Sequence, residues 1–275
     1  PAHWGPGAVG ALRGALRGKP GLAPSSGPAV LIPDSVAALA ALQAAPGLPD
    51  QGVVVLVDLG GSGSSITLAD AGANLNAVGP TVRYPEFSGD AIDQALLDHV
   101  LAGVADANKV DPAGTAAVGP LARLRDECRM AKERLSAETA TVLPAELPGF
   151  RSDVRLTRPE LEQLISEPFA GLVNAIEDLL QRNGIPVANV SSVATVGGGA
   201  AIPLVTQRLS ERLRAPVVTT PESQLNVAAG AALVANQSLA ADAPTGLAPA
   251  ADSPTAMGPA AWAAGAAGLA ASESA

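Results

Sequence analysis

The sequence has 275 residues, 48% of them apolar but only 2% aromatic, and a net charge of −9. That length holds one large domain or two small ones, with a core that must be built from Ala, Val, Leu and Ile. The acidic balance excludes a basic face for nucleic acid or an anionic membrane. A single Cys128 excludes a disulfide framework and fits a reducing, cytoplasmic compartment, and His3 and His99 with one cysteine cannot make a zinc site of usual composition.

In chain order, Pro1 starts inside what reads as ordinary domain sequence, as expected of a fragment or processed form. "AVLI", 29–32, predicts a short buried strand. The helix "SVAALAALQA" follows, capped by Asp34 or Ser35 and closed at Pro46 and Gly47. Residues 53–59 and 64–70 predict two strands around a glycine turn; Ile66 and Leu68 alternate with Ser65 and Thr67 as a half-buried strand requires. A helix over 88–103 places Ile92, Leu96 and Val100 on one face, with His99 as a packed helix residue rather than a ligand. The next helix, 121–136, has Leu121, Leu124, Cys128, Ala131 and Leu135 as its apolar stripe. "TATVL" and "SDVRL" read as strands, and Thr157 with Glu160 forms a capping box for a helix that stops at Asn183 and Gly184. A strand over 191–196 runs into Gly197, Gly198 and Gly199, then into a helix with Pro203 in its first turn. Mixed strands and helices argue for an α/β fold. From residue 238 the Ala/Pro/Gly/Ser composition predicts disorder, and the apolar stretch Ala260–Ala271 is too short and glycine-interrupted for a membrane span.

Two strand ends open onto bare backbone: Gly60, Gly61, Ser62 and Gly63, and then Gly197, Gly198 and Gly199. Converging N–H groups there can hold an anion, usually phosphate; a tight turn is the plain alternative for each. There is no lysine for a P-loop, no helix after the first glycines for a dinucleotide fingerprint, and no glycine at 64 for a nucleophile elbow. A phosphate-holding hairpin turn remains, with Asp58 beside it. A carboxylate next to phosphate calls for a cation, and Mg²⁺ held through water is the usual answer. Asp34 is either a second such acid or a helix cap. Arg125, Arg129, Lys132 and Ser136 share a stripe on the helix 121–136, which is either a solvated face or a cationic lip for a ribose or base.

These segments, in this order, resemble the ATPase domain of the 70-kDa heat-shock chaperones, the DnaK family of the actin-like superfamily. "VVVLVDLGGSGSSITL" is similar to that family's second phosphate motif, "ATVGGGAAIPLVTQRL" to its adenosine motif, and "CRMAKERLS" to the helix lining its adenosine pocket. "PAHW", "IPDSVAALAAL", "FSGDAIDQALLDHVL" and "VRLTRPELEQLI" resemble the connecting segments, so that the likeness covers about residues 1–235. The resemblance implies an actin-like (ribonuclease-H-like) ATPase lobe. Residues 1–46 would end a first lobe and cross over, 47–84 and 166–237 would form the nucleotide-binding core, and 85–165 a smaller inserted α+β subdomain. It implies ATP or ADP with Mg²⁺, a monomeric cytoplasmic protein of the stress response, and client proteins and co-chaperones as partners. Asp58 and Asp34 would stand at the metal and the chemistry. Gly60, Gly61, Ser62, Gly63, Gly197, Gly198 and Gly199 would cradle phosphate, and Lys132 and Ser136 would touch adenosine. The departures are Gly63 and Ser65 where the family has Thr and a metal-holding Asp, and Asp34 for its catalytic Glu. Gly199, Ala200 and Ala201 replace the Ser, Thr and adenine-stacking Arg, while Arg129 and Glu133 replace a Glu and an Arg. Hydrolysis is therefore expected to be weak, and the alternative is a nucleotide-sensing scaffold. The family's first phosphate motif, with its lysine, and its peptide-binding domain are expected outside this sequence.

Overall fold

A computed structural model describes residues 1–19, 21, 29–44, 47–108 and 118–242. Its centre is a six-stranded sheet. Strand β1 (Val53–Leu59) pairs antiparallel with β2 (Ser64–Asp70) and parallel with β7 (Val190–Val196). On one side β2 carries the short strands β3 (Asn76–Ala77) and β4 (Val82–Tyr84); on the other β7 carries β8 (Val217–Val218) in parallel. A separate hairpin joins β5 (Ala140–Leu147) to β6 (Phe150–Thr157).

The near-continuous apolar run of β1 follows from burial on both of its faces. Val55, Val57 and Leu59 point with Ile66 and Leu68 into the larger core. That core continues through α3 (Gly89–Asn108), α4 (Val118–Ala137), the β5–β6 hairpin, α5 (Arg158–Arg182) and α6 (Pro203–Leu213). Val54 and Leu56 point the other way, into a smaller core shared with Ala69, Ala194 and Val196. Helices α2 (Asp34–Ala44) and α7 (Asn226–Asp242) cover that face. They cross so closely that a Cβ on Gly230 would run into the backbone carbonyl of Ala37.

The α/β class holds, as do both strands around the first glycine turn and the capping box, in which Glu160 N–H meets the Thr157 hydroxyl and Thr157 N–H meets Glu160. Three expectations are corrected. Residues 29–32 form no strand, and Val30 is 84% exposed, because no other described strand lies beside them to pair with. His99 is exposed, at the edge of the Ile92–Leu96–Val100 stripe instead of under it. Helix α7 continues to Asp242, past residue 237; the rest of the Ala/Pro-rich tail lies outside the described residues. A helix that the sequence hid, α1 (Pro6–Arg17), starts with Pro at its N-terminus and buries no residue. Among the described residues no helix is long and apolar enough to cross a membrane.

Cys128 lies fully buried on α4, and burial, reinforced by Asp93 and Glu127, pushes its thiol up to about 11. At pH 7 only about one thiol in 10⁴ is then ionised. The expected result is no reaction with Ellman's reagent in the native protein and one equivalent after unfolding in urea. Rapid native reaction would show that the α4 seam opens.

Candidate functional site

The first glycine turn is held from below. Gly60 N–H donates to Gly63 O at 3.2 Å, while Gly89 and Asp90, opening α3, donate to the carbonyls of Gly60 and Gly61 at 3.0 and 2.8 Å. With those carbonyls engaged, the N–H groups of Gly61 and Ser62 meet no acceptor among the described residues. That is the arrangement of an anion cradle. The second turn starts at Gly197, whose φ of +85° favours glycine. A Cβ there would also stand 2.5 Å from Leu59 O and 2.9 Å from Asp58 Oδ1, so that the turn can press against the end of β1. One 3₁₀ turn, Gly198–Ala201, separates it from α6.

Leu59 and Asp58 are consecutive on β1 and therefore face opposite sides of the sheet. On the Leu59 side a cavity of about 320 Å³ brings together Gly60, Gly61, Gly198, Gly199, Lys132 and Ser136. Its size is at the lower end of small-molecule sites, about 300–1,000 Å³. Ile92, Glu133, Ala201, Ile202 and Gln224 also line it. Ile92 and Gln224 carried no sequence signal for this role. Lys132 is turned inward, 15% exposed, with Nζ 2.7 Å from Asp93 Oδ1 and 3.1 Å from Gly89 O. Its partner is therefore already inside the protein, and Asp93 neutralises much of what it could offer a ligand. Arg129 faces outward and pairs with Glu133 across 3.6 Å; Arg125 donates to Gln94 at the surface. The polar stripe thus divides, with Lys132 and Ser136 at the cavity and the arginines in solvent.

On the Asp58 side a smaller pocket holds Asp34, Asp58, Ser65, Thr67 and Thr81. Burial, and then the Asp34 carboxylate, hold Asp58 above the ordinary carboxylate range, and Arg83 works against them. Asp34 Oδ1 accepts from Ser35 N–H at 2.9 Å and from Ala2 N–H at 2.6 Å, so the residue settles the helix entry as well as facing Asp58. Arg83 was not read from the sequence. From β4 it donates to Ser62 Oγ at 2.9 Å and Ser65 Oγ at 3.3 Å, and its guanidinium covers Gly63. Ser62 stays exposed on the turn, while Gly63 is buried.

For a magnesium ion held through water, this set has two acids, a neutral Ser65, and an arginine whose field already stabilises the Asp58 carboxylate. No group of three His, Cys, Asp or Glu residues suited to a metal occurs among the described residues. Asp34 and Asp58 with Arg83 near by do not make a directly coordinating set for a divalent cation.

Comparison with known proteins follows the same outline. The sequence model described as Hsp70 protein matches residues 36–242. The chain is similar to a heat shock protein of Pyricularia oryzae, 30% identical over 160 residues, covering 58% of this chain and 26% of that one. It is 29% identical over 164 residues to the heat shock cognate HSP70 protein of Trypanosoma brucei brucei, covering 58% of this chain and 24% of that one. With a ribosome-associated molecular chaperone of Zygosaccharomyces rouxii it shares 28% over 160 residues, 58% of this chain and 26% of the relative. The chain spans about a quarter of the length of these relatives.

Proposed function

The chain belongs to the Hsp70 protein family, and on that premise we propose that it supplies one wall of an ATP-binding cleft in an ATP-dependent chaperone. The family resemblance read from the glycine and adenosine-helix segments is borne out at that level. In this reading residues 47–84 and 166–237 are the nucleotide-binding core of an actin-like lobe and 85–165 its inserted subdomain. Client proteins and co-chaperones are the partners, in the cytoplasm.

The observation that carries the reading is the cavity beside Leu59, where both glycine turns and the inward edge of α4 converge. Adenosine would lie against Ile202 and Ser136, with its phosphates over Gly60 and Gly61. Asp34 and Asp58 are assigned no metal. Ala201 is exposed and lines the cavity, so there is room for a longer side chain at the place where the family stacks an arginine on adenine. Calorimetry on the intact protein is expected to show weak ATP binding, tightened about 3- to 30-fold by Ala201→Arg, the range of one cation–π contact. No ATP binding in either protein would end this reading. A second reading, a nucleotide-sensing scaffold that turns over slowly, is favoured by one observation: Ser65, across the ladder from Asp58, cannot hold charge at neutral pH.

A further inference from the structure

We propose that Arg83 is the phosphate-binding cation of this cleft, and that it lets the protein bind a nucleotide without a divalent metal. The inference rests on the nucleotide reading above and extends it to the side of the sheet that faces away from the adenosine cavity.

The geometry begins with sheet register. Arg83 on β4 stands opposite Ser65 on β2, and Ser65 stands opposite Asp58 on β1. Residues opposite one another across a ladder share a face, so Arg83, Ser65 and Asp58 form one row at the turn-bearing end of the sheet. The guanidinium reaches along that row and over the turn. One nitrogen donates to the Ser62 hydroxyl at 2.9 Å and another to Ser65 at 3.3 Å, and a Cβ on Gly63 would lie within 2.7 Å of it. Glycine at 63 is thus what admits the arginine. Among the described residues no carboxylate comes within 4.0 Å of Arg83. The half-buried guanidinium is held by two neutral hydroxyls and retains further donors, with the Asp58 carboxylate in the same row feeling its field. The guanidinium lies beside a turn whose Gly61 and Ser62 N–H groups are also unaccepted. A planar fork of this kind matches phosphate oxygens two at a time. The charge that a metal would bring to the phosphates is already covalently part of the sheet. The same arginine explains the company of Ser65: a carboxylate introduced there would pair with the guanidinium 3.3 Å away before it could orient a water.

The test is calorimetry on the intact protein with three probes, ADP, inorganic tripolyphosphate and adenosine, each in Mg²⁺ and in EDTA. ADP and tripolyphosphate should each bind within about threefold of their own Mg²⁺ values when EDTA replaces the metal. Arg83→Gln should weaken both by tenfold or more and leave adenosine unchanged, and Arg83→Lys should recover only part. Thermal midpoints of the variants show whether they are folded. Loss of ADP and tripolyphosphate binding in EDTA, or an Arg83→Gln protein that binds both like the wild type, overturns the inference while the nucleotide reading survives on adenosine. Arg83-dependent tripolyphosphate binding without adenosine binding would sustain the phosphate clamp and remove the nucleotide reading. Absence of binding by all three probes overturns both.

Discussion

Replacing Gly230 by valine should cost about 3–5 kcal/mol of folding stability, a large share of what a domain of this size has. Gly230 is where α7 crosses α2, and the atoms that a Cβ would strike there are the carbonyl group and Cα of Ala37, backbone that cannot turn aside as a side chain could. To admit valine the helices must separate, and the small core beneath them, Ala38, Leu39, Leu42, Val54, Leu56, Ala69, Ala194 and Val196, would open to water. Urea unfolding followed by circular dichroism reads the loss as a lower midpoint. Gly103 supplies the control. It lies exposed on α3, a Cβ there meets nothing within 4 Å, and Gly103→Ala should stabilise by about 0.5–1 kcal/mol through helix propensity alone. Equal midpoints for Gly230→Val and the wild type would mean that α2 and α7 do not cross at this distance in solution.

A loss of similar size, about 3–5 kcal/mol, is expected when either member of the Lys132–Asp93 pair is removed alone. The two side chains are only 15% and 6% exposed and meet at 2.7 Å, joining α4 to α3 at the floor of the cavity. Asp93→Leu leaves an ammonium with the Gly89 carbonyl as its remaining partner, and Lys132→Met leaves a buried carboxylate without a counter-charge. Either change strands one desolvated charge. Removing both, as Asp93→Leu with Lys132→Met, takes away the charges and their desolvation together and should recover most of the stability. A double-mutant cycle measures the difference as a coupling energy. If the two single losses simply add in the double variant, the pair is wet and the cavity floor is looser than the geometry indicates.

How much of this was legible in the sequence depended on distance along the chain. β1 could be read because double-sided burial writes an apolar run that the glycines end; β2 was read from Ile66 and Leu68 alternating with Ser65 and Thr67, although the structure buries both of its faces. The α5 start could be read because a capping box is local: Thr157 and Glu160 are three residues apart. Helix α1 could not, since Gly7, Gly10 and Gly14 lower helix propensity and no buried face marks a period. The apolar letters of 29–32 promised a strand, but a strand exists only beside another one. At the site, the glycine turns and the inner edge of α4 stood out, whereas the inward turn of Lys132 depends on Asp93, 39 positions earlier in the numbering. Arg83 was invisible for the same reason. Its partners Ser62 and Ser65 are 21 and 18 residues away and are brought to it only by the register of a three-residue strand.

The hydrogen bonds from Gly89 and Asp90 to the carbonyls of Gly60 and Gly61 have a mechanical meaning. They splice the glycine turn to the first residues of α3, a rod of 20 residues, about 30 Å from end to end. A ligand that drew Gly61 outward would draw the near end of that rod with it, about the Lys132–Asp93 pair just beyond. A tilt of about 5° there would sweep the far end through about 2–3 Å, given the rise per residue of a helix. The turn would then act as the short arm of a lever, its displacement read at the far end of α3 as an angle.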